Sequence, residues 1–89
     1  MIGGSGTYVR MWEARCAAGR TDEAVAWVQQ RVAPDALEAG AHTAEVFRSE
    51  ERVVLLTRWP APTPWLEPAP PEDLIARAHA WPFESVGDR

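Results

Sequence analysis

Five tryptophans in 89 residues is a high density of flat, polarisable rings, and the polar residues beside them are the first place to look for chemistry. Arg58 adjoins Trp59, a pair that can bind a carboxylate or phenolate while the ring covers it, although an arginine on an acidic surface more often forms an ordinary ion pair. Trp65 stands in a proline-rich stretch, and His79 follows it by fourteen positions, an imidazole of the type that takes up a proton near neutral pH. Each has a plainer alternative. Trp12, Trp27 and Trp81 read as core or interface residues. His79 reads first as a helix-dipole partner or a solvent-facing group, and His42 has no evident partner. Cys16 is the only cysteine, so no intrachain disulfide and no cysteine-rich zinc site can form, and no histidine near it in sequence would activate it. No metal site, phosphate loop or dinucleotide fingerprint is expected.

These side chains must be positioned by one small domain, because the length allows one core. The net charge of −4, from 9 basic and 13 acidic residues, argues against nucleic acid as a partner, since phosphate binding needs a basic stripe. Every basic residue is arginine, and with the many alanines and prolines this reads as codon bias of a GC-rich bacterial genome. Met1–Gly6 has neither a basic region nor an apolar run, and no stretch reaches the roughly 20 apolar residues that span a bilayer, so no membrane partner and a cytoplasmic location are expected.

Residues 1–7 read as a flexible lead-in, 8–86 as a single domain and 87–89 as a tail. Tyr8 to Ala17 alternates as a strand, with Tyr8, Trp12, Ala14 and Cys16 on one face and Val9, Met11, Glu13 and Arg15 on the other. Thr21 is placed to cap a helix, whose stripe is Ala24, Val25, Val28 and Val32. Pro34 suits the first turn of a second helical piece ending at Ala39, and Gly40 is its natural C-terminal cap. Ala41 to Arg48 and Arg52 to Trp59 read as a hairpin around Ser49-Glu50-Glu51. In the second of these strands Val53, Val54, Leu55 and Leu56 make both faces apolar, as in a strand covered on both sides. Residues 60–71 hold six prolines and fit only a stiff loop. Pro71 is expected to open a helix through His79, and Trp81 to Val86 to form a last strand that Pro82 confines to an edge.

The order β-α-β-β-α-β predicts a ferredoxin-like α+β fold: a four-stranded antiparallel sheet, its first and third strands central, with two helices on one face. The other face would carry groups such as Met11, Leu56 or Trp59 into water, which a soluble monomer avoids. A second copy packed on it removes that surface at roughly 25 cal/mol per Å². A two-fold homodimer is the expected assembly. Which of the pairs Val53/Leu55 and Val54/Leu56 meets the helices is left open by alternation alone.

With these elements in order, residues 8–86 resemble the dimeric α/β-barrel superfamily, in particular the antibiotic-biosynthesis-monooxygenase-like domains. The most specific match is a tryptophan closing the third strand, Leu56-Thr57-Arg58-Trp59, followed by a helix carrying a histidine, His79. The resemblance implies an aromatic-lined cavity. Branches of that family oxidise aromatic polyketides without a cofactor or degrade haem, and both use a pocket asparagine, which this chain lacks. The implied site is a cavity lined by Trp59, Trp65, Met11 and Leu56, with Arg58 or His79 as polar contact, an aromatic ligand that can carry a negative charge, and His79 as base or, in the haem branch, iron ligand. No cofactor is expected, and haem is the minor alternative. The competing expectation is a non-catalytic dimeric module in which the same aromatics only fill the barrel.

Overall fold

Alternation along the central strands settles which side of the sheet is the core. The computed structural model describes residues 7–87; the expected lead-in, apart from Thr7, and the last two tail residues lie outside the described residues. In β3 (Arg52–Trp59) every second residue is buried: Val53, Leu55, Thr57 and Trp59. In β1 (Tyr8–Cys16) the buried set is Trp12, Ala14 and Cys16. Antiparallel pairing opposes Leu55 to Trp12 and Val53 to Ala14, so the two strands turn one face into the core together. The pair Val53/Leu55 therefore meets the helix, and Val54/Leu56 points away.

β2 (Thr43–Arg48) pairs with the outer side of β3, and β4 (Ile75–Glu84) pairs with the outer side of β1. The sheet order is β2-β3-β1-β4, fully antiparallel, with the first and third strands central as expected. Pro82 sits on β4, an edge strand, where one side of the backbone has no ladder to complete.

One helical segment covers part of the core face. It runs without a break through α1 (Thr21–Trp27), a π-helical stretch Val28–Val32 and α2 (Ala33–Glu38). The π register has a local cause. Pro34 has no N–H and its ring crowds the carbonyl four residues back, so the chain widens its turn just before it, and the Ala33 N–H donates to the Val28 carbonyl instead. The two expected helical pieces are thus one continuous element, and the stripe Ala24, Val25, Val28 and Val32 is buried as the spacing predicts. Thr21 does not cap it: Arg20 holds the capping position without a side-chain bond, and the Thr21 hydroxyl donates to the Glu50 carbonyl, pinning the 49–51 hairpin loop to the helix start. Gly40 ends the helix at φ +117°, with Ala41 N–H on the Ala36 carbonyl and Gly40 N–H on that of Leu37, the paired closure that a left-handed residue after the last turn allows.

The second helix is not formed. Pro71 to Leu74 makes one turn, closed by Leu74 N–H on the Pro71 carbonyl, but Asp73 lies at φ +65° and a right-handed helix cannot continue through it. Strand β4 begins at Ile75 rather than at Trp81. The alanines that suggest a helix, Ala76, Ala78 and Ala80, alternate with Arg77, His79 and Trp81, and pairing this run to β1 completes the ladder of a central strand. The proline-rich segment takes the missing helix's place. Trp65 packs against the core, Leu74 is fully buried, and a bidentate Arg10–Glu67 pair at 2.7 and 2.8 Å ties the segment to β1. The Glu67 carboxylate, by accepting these bonds, holds the Arg10 guanidinium even more firmly protonated than usual.

Candidate functional site

Trp59 and Trp65 do come together, 5.6 Å between ring centroids, on the core side of the sheet. Their polar tips are both tied inward or to the helix. The Trp59 indole N–H donates to the Thr57 hydroxyl at 2.8 Å, which in turn donates to the Arg10 carbonyl. The Trp65 indole N–H donates to Asp35 on α2 at 2.9 Å. Trp59 packs with Ala36 and Ala41 and is 3% exposed, so most of its ring is already covered by protein. The space left beside it is a cleft of about 110 Å³ between Tyr8, Trp59, Pro62, Thr63 and Phe83. Aromatic-sized cavities start near 150 Å³ and ligand pockets commonly exceed about 300 Å³.

The other four expected site residues lie across the sheet. Register places Leu56, Met11 and Trp81 side by side in one cross-strand row that begins at Glu45. Arg58 belongs to the next row with Thr43, Val9 and Phe83, and His79 to the row of Phe47, Val54 and Glu13. Within one chain the sheet therefore separates Met11, Leu56, Arg58 and His79 from Trp59 and Trp65. Alternation explains the split: Arg58 and Trp59 are adjacent in a strand and must point to opposite faces.

His79 is exposed and stacks on Trp81 at 5.7 Å with 30° between the rings. Beside it is a cleft of about 250 Å³ lined by Glu13, Arg15, Arg52, Arg77 and His79. Arg15 lies directly between Arg52 and Arg77 in register, so three guanidinium groups share one row. Arg52 donates to Glu13 at 3.0 Å and Arg15 pairs with Glu51 at 3.2 Å. Arg77 has no ion pair among the described residues. This cluster is invisible in the sequence reading, because placing Arg77 on a helix removes it from the sheet; the period-two run Ala76 to Trp81 is the signal that finds it.

Cys16 is buried at the far end of β1, and burial pushes its thiol above the usual range, opposed in part by the Thr21 hydroxyl and the Arg48 charge. It is a poor nucleophile there. A haem does not fit at His79. Among the described residues the imidazole faces a cleft walled by three arginines and Glu13, a lining too polar to hold a porphyrin. Among the described residues no three His, Cys, Asp or Glu side chains are gathered to hold a metal ion, and no helix is long and apolar enough to cross a membrane. No family model, curated protein or solved structure matches the chain.

Proposed function

We propose that this chain is the subunit of a homodimeric α/β barrel, of the antibiotic-biosynthesis-monooxygenase-like kind, that serves as a non-catalytic binding module. The observation that supports it is a sheet face that no described helix or loop covers. Val9, Met11, Val54 and Leu56 form its centre, and Phe47, Trp81 and Phe83 flank it at 45%, 42% and 50% exposure. Seven apolar side chains on one flat surface exceed what a soluble monomer of this size usually leaves in water. Face-to-face packing of two sheets with a two-fold axis covers that surface in both copies and leaves no open apolar face.

The module reading is favoured over an oxygenase by the state of the aromatic core. Trp59 and Trp65 are engaged in packing and hydrogen bonds, and the cleft beside them is smaller than a polyketide ring system needs. His79, the expected base, reaches that cleft from neither side of the strand. Sedimentation velocity at micromolar concentration should show a dimer. A well-folded monomer under those conditions would overturn the assembly and the reading built on it.

A further inference from the structure

The arginine row at the end of the open face stands outside both the apolar centre and the packed tryptophans. Like charges directly opposite one another on neighbouring strands destabilise a sheet, and here the like charges occupy three neighbouring strands in succession. The chain carries more acids than bases, yet among the described residues only Glu13 and Glu51 pair with this row, each meeting one guanidinium. Each guanidinium has five N–H donors in a planar fork, so among the described residues most donors in the cleft meet no protein acceptor, and Arg77 meets no carboxylate. The side chains of Arg15 and Arg52 are half-exposed, so their present carboxylate partners exchange readily for a better acceptor. The floor is hydrogen-bonded sheet, and the His79–Trp81 stack closes one flank.

We propose that Arg52, Arg15 and Arg77, flanked by His79, form a binding site for a small multivalent oxyanion, a molecule with two or more carboxylate or phosphate groups. Guanidinium forks match both groups in bidentate fashion, and a cleft of about 250 Å³ admits a compact anion rather than a polymer. All of its residues come from one chain, at the rim of the face proposed to meet the second copy, with Trp81 shared between the two.

The test is a backbone-amide NMR titration with citrate and, separately, with inorganic pyrophosphate, at constant ionic strength against a sodium chloride control. Saturable shifts confined to residues 13–15, 52 and 77–81 are expected. The tighter of the two probes assigns the carboxylate or the phosphate source. Arg77→Gln should weaken binding about tenfold, the loss of one bidentate contact, whereas Arg31→Gln on the helix makes the same change of net charge and should leave it unaltered. Shifts that never saturate, that sodium chloride reproduces, or that both variants reduce equally would overturn the site. A dimer indifferent to both anions refutes the site alone, and a monomer that binds citrate refutes the dimer alone.

Discussion

The two faces of the sheet are built from the same four strands, yet they differ in almost every physical property. On the core face the row Val46, Leu55, Trp12 and Ala80 lies under the helix and the proline-rich segment, and Trp12 meets Trp27 edge-on at 6.2 Å. Polar atoms there are few and satisfied, and among the described residues no buried side-chain nitrogen or oxygen lacks a partner. On the open face the adjacent row, Glu45, Leu56, Met11 and Trp81, has no described residue of the chain above it, and arginines cluster at the end of that face. What differs is the cover, not the strand. A face becomes a core when a connection crosses over it; a face without one is left for partners or ligands.

Replacing neighbouring leucines should break this comparison most sharply. Leu55 is 1% exposed, and Leu55→Glu places a carboxylate among apolar side chains at a cost of several kcal/mol, comparable with a whole domain's stability of about 5–15 kcal/mol. Circular dichroism should show an unfolded chain. Leu56→Glu, one residue on, should stay folded and sediment as a monomer. Similar behaviour of the two variants would remove the distinction between the faces.

Leu74→Ala tests the proline-rich segment as a true part of the core. Leu74 is fully buried where a second helix would have packed, and its truncation should cost about 2–5 kcal/mol in urea unfolding. A loss below about 1 kcal/mol, within the range of surface changes, would show that the segment merely lies on the sheet. A smaller effect is expected at its tether. Glu67→Gln keeps the shape but removes the charge that Arg10 faces, and should cost about 1–2 kcal/mol, the size of a charge-assisted hydrogen bond at a partly exposed site.

The smallest effect concerns Cys16. Burial raises its thiol, so the folded chain keeps that proton to a higher pH than the unfolded chain does. The unfolded state therefore binds fewer protons once pH passes its own thiol value of about 8.5, and stability falls as pH rises from there toward the folded value. Thermal melts across that window should lose less stability in Cys16→Ala than in the wild type. At neutral pH the native thiol should react with a disulfide reagent about tenfold or more slowly than in denaturant. Equal rates would place Cys16 at the surface.

Much of the architecture was determined locally. Alternation in Tyr8–Cys16 and Arg52–Trp59, the Ser49–Glu51 loop, the valine stripe and Gly40 each carry their own signal, because period, turn chemistry and left-handed backbone are properties of a few adjacent residues. Two things were not local. Ala76 to Trp81 satisfies both a helix former's composition and a strand's alternation, and only the free edge of β1, brought near by the proline-rich crossover, chose the strand. That choice also carried Arg77 next to Arg15 and Arg52. The side of the sheet was the other. Alternation paired Val53 with Leu55 and Val54 with Leu56, but a strand's two faces are equivalent until something packs on one of them. The helix packed on Val53 and Leu55, and so put Trp59 and Trp65 in the core and His79 outside it.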